Sequence, residues 1–442
     1  ALEEEARVKI QSFAPQGLSN LAWSFATLAL RSPRLFAAIE AEARPKLEAF
    51  TSQNLANLVW AFGSLRIREP QLFEDISRRM AAMLTRPAAD EPSALARLAA
   101  DAGGVVWALR FAGHPSAALV ESAPEALAGI GKALDRAASR GAVLPLGCCP
   151  VGLEDTRGAG EAVGGGAHLA GEPRLVAGLP DRLVVQKPAD WEVDDTADSS
   201  GGRRLSEYLR TVLPFRRWPL TCDSEHHFGF LHRLDVPSSG LILVAKTYEA
   251  YYDLLLQLST GVIDRDYAVQ SHGWAHPLGN GRLDMPVRWI AGSGSGGSAA
   301  SLSSVDPRGR PSRTLVKVLA HAYCHGRASS FMLARIVTGR RHQIRTHFGY
   351  VGHPTVRDAK YTSSDVFEAD CVWCRQNFIH RFRLAFYDRD HTRHEVTSEL
   401  PPELASALRR LLPKDRQSRA ALEMWLTGQG LRDWALWEPL SA

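Results

Sequence analysis

Long apolar runs are missing from this chain. Nothing in its 442 residues approaches the roughly 20 consecutive apolar side chains of a membrane-spanning helix, so no membrane partner is expected. Cysteine is sparse: six residues, with Cys148 and Cys149 adjacent and no regular spacing, exclude a disulfide framework and make a reducing compartment the default. An excess of one charge is lacking too, since 52 Lys and Arg against 48 Asp and Glu leave only +4, and that total implies no polyanionic partner by itself. Hydrophobic and charged fractions of 45% and 23% exclude wholesale disorder and collagen-like chains. The Gly164-Gly165-Gly166 run lacks the Gly-Lys-Ser/Thr ending of a phosphate loop.

What is present starts with a repeat. Phe13, Gln16, Leu18, Asn20, Leu21, Trp23, Phe25, Leu28, Pro33, Leu35, Phe36 and Ile39 recur 37 residues later as Phe50, Gln53, Leu55, Asn57, Leu58, Trp60, Phe62, Leu65, Pro70, Leu72, Phe73 and Ile76. Leu18, Leu21, Ala22, Phe25, Leu28 and Ala29 fall on one helical face. A second helix is expected from the N-cap Ser32 and Pro33, with Leu35, Phe36 and Ile39 inward. Each unit therefore reads as a helical hairpin that buries its apolar face against its neighbours. A worn third unit is expected over 95–134, where Val105, Val106, Trp107 and Ala108 echo the segment around Trp60.

The fold expected is multidomain: an all-α helical-hairpin repeat domain over 1–140, a Gly/Ala-rich linker over 141–174, an α+β domain over 175–415 and a C-terminal tail over 416–442. Short branched and aromatic runs predict strands at Leu183-Val184-Val185, 241–245, Tyr267-Ala268-Val269, 315–319, 331–337 and 382–386. Helices are expected at 205–213 and 248–258, and the Gly/Ser run at 292–298 reads as a disordered surface insertion.

Three segments of the second half carry chemistry. They are Leu183-Val184-Val185-Gln186-Lys187-Pro188-Ala189-Asp190, then His232-Arg233-Leu234-Asp235 running through Ser238-Ser239-Gly240, and Thr338-Gly339-Arg340-Arg341-His342-Gln343-Ile344-Arg345-Thr346-His347 followed by Gly352-His353-Pro354. In this order and spacing, over about 175–412, they resemble the RluA-type RNA pseudouridine synthases. The helical units resemble octotricopeptide and FAST-kinase-like repeats of organellar RNA proteins. The resemblance implies a mixed, mainly antiparallel sheet with a central catalytic cleft. It also implies an enzyme that isomerises uridine in RNA, ribosomal or transfer RNA being the expected substrate, without cofactor or metal.

An Asp on a loop just before a Ser-Ser-Gly turn and a strand sits where catalytic residues concentrate. The reaction breaks the N-glycosidic bond and rejoins the same base through carbon. A carboxylate can serve as nucleophile or as base at the sugar, and the sequence leaves both open. A guanidinium is expected to keep that carboxylate ionised. By the resemblance, Asp235 is the catalytic carboxylate and Arg345 its partner, while Tyr267 is the active-site Tyr that stacks on the base and takes the proton from carbon. His232, Arg233, Arg340, Arg341, His342 and Lys187 are the expected RNA contacts.

The other readings stay beside these. Asp235 alone would be a surface ion pair or cap, and Tyr267 alone a core residue. His342 and His347 lack a third metal ligand at a recognised spacing, and Cys371-Val372-Trp373-Cys374 supplies two ligands of a zinc site's four, so no metal is expected. His-Arg-Leu-Asp differs from the kinase His-Arg-Asp-Leu, and no Asp-Phe-Gly follows. Between Arg308 and Arg345 nine Lys or Arg occur without an acid, which predicts one face presented to phosphates. Arg203, Arg204, Arg210, Arg216 and Arg217 form a second basic cluster. Two positions depart from the family pattern: Ser238 stands for Thr, and Arg357 for the Gly before Asp358. The alternative to an enzyme is a noncatalytic RNA-binding protein with a decayed synthase domain. The repeats are candidates for binding RNA or a protein partner. A monomer is the default, and the compartment stays open, tilted by the resemblance toward mitochondrion or plastid.

Overall fold

Proline at the first helical position opens four of the helices described in the first 140 residues, and a hydroxyl caps two helix starts. In the computed structural model, which describes residues 2–88, 90–140, 171–194, 202–276, 281–290 and 301–440, this region is helical. Its helices are α1 (Leu2–Lys9), α2 (Pro15–Thr27), α3 (Pro33–Ala43), α4 (Ser52–Ser64), α5 (Pro70–Thr85), α6 (Pro92–Phe111) and α7 (Ala117–Ser139). The Ser32 hydroxyl caps α3 by accepting from the Leu35 N–H at 3.3 Å, and Thr51 and Asn54 form a reciprocal capping box on α4. Helices α2 and α4, like α3 and α5, begin 37 residues apart, as the sequence period requires. Helix α2 packs on α4 and α4 on α6, while α5 packs on α7. The units interlock through Phe36 and Phe62, edge to face at 4.8 Å, and Phe62 against Phe73 at 6.3 Å.

Beyond the expected linker, most of which (141–170) lies outside the described residues, as does the 292–298 insertion, the chain turns to strands. They come in the order β1 (Arg174–Gly178), β2 (Arg182–Lys187), α8 (Leu205–Val212), β3 (Ser239–Ala245), α9 (Tyr248–Thr260), β4 (Asp264–His272), β5 (Arg282–Leu283), β6 (Val287–Ile290), β7 (Leu302–Val305), β8 (Thr314–Cys324) and β9 (Arg327–Ile336). Then follow α10 (Gln343–Tyr350), α11 (Ser364–Cys371), β10 (Ile379–Tyr387), β11 (Arg393–Thr397), α12 (Pro402–Arg409), β12 (Leu412–Pro413) and α13 (Arg416–Leu426). The main sheet runs β1-β2-β3-β10-β4-β9-β8-β12 and is antiparallel except for the parallel β3–β10 pair, so it is mixed and mainly antiparallel. At that pair Gly240 has φ 126°, and a Cβ there would lie 2.4 Å from the Arg381 carbonyl oxygen, so only glycine fits.

Alternation along β2 and β3 divides the two faces. Val184, Leu241 and Leu243 turn to the core shared with the N-terminal helices, and Val185, Ile242 and Val244 to the core under the cleft. Helix α9 continues the helical array, for α6 and α7 both pack against it. Two features of α7 make the close approach possible. Gly131 faces the start of α9, where a Cβ would lie 2.3 Å from the Glu249 Cα. Asp135 accepts the Tyr248 and Glu249 N–H groups at 2.9 and 3.1 Å, capping α9 from the other half of the chain.

Residues after 415 are not a loose tail. Trp425 of α13 and Trp437 stack at 5.9 Å and are 5% and 3% exposed, and the Leu440 N–H donates to the Val318 carbonyl at 2.7 Å. Aromatic burial of this size ties the segment to the sheet. The expected single basic face is also corrected, because alternation along β8 and β9 sends its charges different ways. Lys317 donates to the carbonyls of Trp434 and Trp437, Arg335 pairs with Asp266, and Arg308 with Asp306. In the other basic cluster, Arg203 pairs with Glu172 and Arg204 with Glu207.

Candidate active site

The loop that carries Asp235 is clamped on both sides of that residue. Before it, the Arg233 carbonyl accepts from Arg381 Nη2 at 3.2 Å, and Leu234 is buried at 5% exposure. After it, the Val236 carbonyl accepts from Lys187 Nζ at 3.1 Å and from the Asp190 N–H at 2.8 Å. Asp190 reaches that position with a left-handed φ of 64°. The first motif, at the end of β2, therefore fixes the second.

Lys187 was expected among the RNA contacts, and its position corrects that expectation. Its side chain is fully buried, and its ammonium donates to the carbonyls of Pro188, Trp191 and Val236 at 2.9, 2.8 and 3.1 Å. Burial presses its pKa down to about 7. A lysine spent on three carbonyls holds a loop and has nothing left for a phosphate.

Arg345, on α10, reaches Asp235 with Nη1 to Oδ2 at 3.3 Å. Its other edge is gripped by Asp358, Nε to Oδ2 at 2.7 Å and Nη2 to Oδ1 at 2.6 Å, a bidentate pair that fixes the guanidinium plane. Asp358 has 0% exposure and also accepts from the Thr355 hydroxyl. Burial would lower the Arg345 pKa, but Asp358 and Asp235 outweigh it, so the guanidinium stays charged. For Asp235, burial works to raise the pKa, yet the surrounding cations hold the carboxyl below its usual range. Burial pushes His342 down to about 4, so at neutral pH the positive charge facing Asp235 comes from Arg345, with Arg233 farther out.

Arg357, the residue standing where the family has glycine, takes φ 56°. The turn thus demands the left-handed conformation at a non-glycine residue, with Asp370 accepting the Arg357 N–H at 2.7 Å.

Tyr267 lies on β4, 3% exposed. Its hydroxyl oxygen accepts from Arg381 Nε at 2.8 Å and also from Arg381 Nη2. Both lone pairs are thereby engaged, so the ring is available for stacking, whereas taking a proton requires Arg381 to release a bond. Arg381 is itself fully buried on β10 and also donates Nη1 to the Leu241 carbonyl at 3.0 Å. His232, expected to touch RNA, is turned to this group instead, its Nδ1 2.7 Å from Arg381 Nη1. Burial, Arg381 and Arg265 hold His232 well below its usual pKa, so it is a neutral brace.

The third motif is sewn by Gln343. Its Oε1 accepts from the Thr338 hydroxyl and the Arg340 N–H at 2.7 and 3.1 Å, and its Nε2 donates to the Arg313 carbonyl at 3.0 Å. His342 precedes α10 in the left-handed conformation, φ 54°, and lies 3.1 Å from the Tyr361 hydroxyl through Nδ1. His347 is buried, with its ring nitrogens at 3.0 Å from Thr314 Oγ1 and 2.9 Å from the Met285 carbonyl. It is a structural residue. Among the described residues no group of three His, Cys, Asp or Glu is placed to hold a metal, and no helix is long and apolar enough to cross a membrane.

These residues converge on a cleft of about 420 Å³ lined by Asp235, Tyr267, Arg345, His342, Arg233 and Arg340 among others. Arg233 stands at its mouth, 45% exposed, 3.5 Å from Asp194. One wall comes from the helical half: Trp107 lines the cleft, with the Arg340 guanidinium 4.8 Å over its ring. Asp358 and Arg381 were missed as functional residues by sequence reasoning. The signal for Asp358 lay in its position after Arg357, which was read for turn geometry alone. Arg381, in a run of strand residues, gave none.

The fold thus brings together, on one mixed sheet, a carboxylate on a clamped loop, a guanidinium fixed beside it and a buried tyrosine ring. Residues 181–350 match the family model described as RNA pseudouridylate synthase. The chain is 33% identical over 181 residues to ribosomal large subunit pseudouridine synthase D of Vibrio vulnificus, covering 41% of this chain and 50% of that protein. It is 30% identical to the Escherichia coli K12 protein of the same name, over the same shares. The chain thus spans about half the length of the curated relatives it matches. Among solved structures, human RNA pseudouridylate synthase domain containing 1 aligns with TM-score 0.40 and 23% identity, over 58% of this chain and 95% of that one. Human RNA pseudouridylate synthase domain containing 4 aligns with TM-score 0.39 and 16% identity, over 54% and 93%.

Proposed function

We propose that the protein is an RNA pseudouridine synthase, with Asp235 as its catalytic carboxylate. The observation that carries this reading is the Asp235–Arg345–Asp358 chain in the cleft. A half-buried acid beside a guanidinium that a second acid holds in place is arranged to stay ionised, as a nucleophile or base at the sugar must. In the reaction the N1–C1′ bond of a uridine breaks, the base turns, C5 bonds to C1′, and the proton lost from C5 is balanced by one gained at N1. Asp235 attacks the sugar or removes its proton, Arg345 keeps it charged, and the Tyr267 ring stacks on the base. Arg233, Arg340, Arg341 and His342 surround the entry and meet the RNA. The carboxylate does this work without metal or redox cofactor.

Ribosomal RNA is the favoured substrate, since the curated relatives are ribosomal large subunit enzymes. The chain divides into a helical-hairpin repeat domain over 1–140 and a catalytic domain from about 175 onward, to which the segment after 415 belongs. The noncatalytic alternative is disfavoured by the bidentate Asp358 grip, because RNA binding alone has no use for a guanidinium aimed at a second acid in the cleft. Pseudouridine mapping of cellular RNA from cells with wild-type or Asp235→Asn protein tests the proposal. Loss of modified uridines with Asp235→Asn is expected. Identical maps, with RNA binding intact, would overturn the enzyme reading.

A further inference from the structure

Beside the cleft lies a second, larger cavity of about 880 Å³, between α2, α4 and α6 on one side and β6, β7 and the Arg340-Arg341 turn on the other. Trp23, Trp60 and Trp107 line its helical wall. Trp23 and Trp60 occupy identical places in the 37-residue period, and Trp107 stands in the echo of the same segment on α6. Because α2 packs on α4 and α4 on α6, the three rings follow one another along the wall. Trp60 and Trp107 are half-buried, one side against the core and the other lining the cavity. Trp23 is 44% exposed, whereas Leu18 and Leu55, on the inward face of the same two helices, are at 0%. Large aromatics that line an open cavity at equivalent places of successive helices mark a contact surface.

The opposite wall is cationic. Arg288, Arg308, Arg310, Arg340 and Arg341 line the cavity, and no Asp or Glu does among the described residues. Asp306, just outside, takes Arg288 and Arg308 at 3.3 and 2.9 Å, which concentrates the remaining charge toward Arg310 and Arg340. Burial chiefly, with the like charges of Arg310 and Arg265 adding to it, presses the Arg340 pKa to about 10, and an anion beside it would favour the charged form. Guanidinium and ring also alternate: Arg341 lies 3.9 Å over Trp289 and Arg340 4.8 Å over Trp107. The two cavities share Ser259, Trp107, Gly339, Arg340 and Arg341, so the groove opens into the cleft.

We infer that this groove holds a single-stranded RNA segment flanking the target uridine, with bases stacked on Trp60 and Trp23 and phosphates facing Arg310, Arg340 and Arg341. The ligand class rests on the function proposed above. Rings spaced along one wall and cations along the other match a strand whose bases are free to stack. A paired duplex hides its base faces, and a polypeptide brings no phosphates.

The test uses the full chain carrying Asp235→Asn, so that no chemistry takes part, and a fluorescein-labelled mixed-sequence single-stranded oligoribonucleotide titrated at several salt concentrations. Trp60→Ala is expected to weaken binding about tenfold, within the range for loss of one base stack, and Trp60→Phe to recover most of it. Trp23→Ala, at an exposed position that the fold tolerates, should weaken binding in the same direction. Exposed Arg310→Gln should lower the slope of log affinity against log salt by about 0.7. Unchanged affinity in both tryptophan variants, with an unchanged salt slope in Arg310→Gln, would overturn the groove. A site built for a polypeptide gives that same null result. The pseudouridine map of Asp235→Asn cells is read separately, so failure of the enzyme reading and failure of the groove are distinguishable.

Discussion

The two halves of the chain are held together by different physics. Among the described residues of the helical half, the buried polar side chains are Ser19, Ser32, Asn54, Ser77 and Ser116, and none is charged. The sheet half buries Arg182, Lys187, Asp266, Arg345, Asp358, Arg381 and Arg383, nearly all in ion pairs or on carbonyls. A repeat array needs only apolar surface that the next unit covers, and neutral capping groups at its helix ends. A carboxylate held ionised in a cleft needs fixed counter-charges, and these need partners of their own. Lys187, Arg345, Asp358 and Arg381 brace the residues of the cleft, whereas Arg182, Asp266 and Arg383 form ion pairs away from it, so buried charge in the sheet half serves both the site and the sheet.

The comparison can be broken most forcefully by truncation in each half. Asp358→Ala, which strands Arg345, should destabilise by about 3–5 kcal/mol in urea unfolding and reduce pseudouridine formation severely. Phe62→Ala should destabilise by a similar ~3–5 kcal/mol through cavity formation. It should leave turnover in folded protein close to wild type. If Asp358→Ala left turnover intact, or Phe62→Ala abolished it in folded protein, the division would be wrong.

A smaller effect concerns pH. Removing the cation in Arg345→Met leaves Asp235 with the burial that raises its pKa and without the partner that lowers it. The acid limb of kcat/KM should therefore move to higher pH, because the carboxylate is now protonated sooner as pH falls. A limb that stays in place, or moves lower, would show that Arg345 does not set the ionisation of Asp235.

The smallest expected effect lies at the seam between the halves. Gly131→Ala forces a methyl group against the start of α9 and should lower stability by about 1–3 kcal/mol. Its signature is early exposure to protease of 1–140 relative to the sheet. A cooperative transition shifted as a whole would argue that the halves fold as one unit.

How much of this was legible beforehand follows from the reach of each signal. Strand runs such as 241–245 and 382–386 were readable because every residue there is buried, so the apolar run survives in one dimension. The helix starts at Pro33 and Pro70 were readable because proline's preference for the first helical position is local. Asp235 and Arg345 were legible only as parts of joint motifs. Lys187 was misread because a lysine in a motif says nothing of which way its ammonium turns, and three carbonyls from two segments claimed it. The segment after 415 looked like a tail because Trp425, Trp434 and Trp437 are spaced for no regular element. Only the sheet they cover explains them.

By itself the sequence determined the things that local rules or short motifs encode: the 37-residue period, the order of elements and the residue types at the candidate site. Tertiary structure decided which charges meet. Asp235 and Arg345 are 110 residues apart and Tyr267 and Arg381 are 114 apart, and the side chains of both pairs interact. The placement of Trp107 in the wall of the cleft was decided there too, since it depends on α6 docking on α9, where Gly103 faces Leu255 and Ser259. The physical reason is range: capping and periodicity act within a few residues, whereas burial and ion pairing depend on what the fold brings alongside.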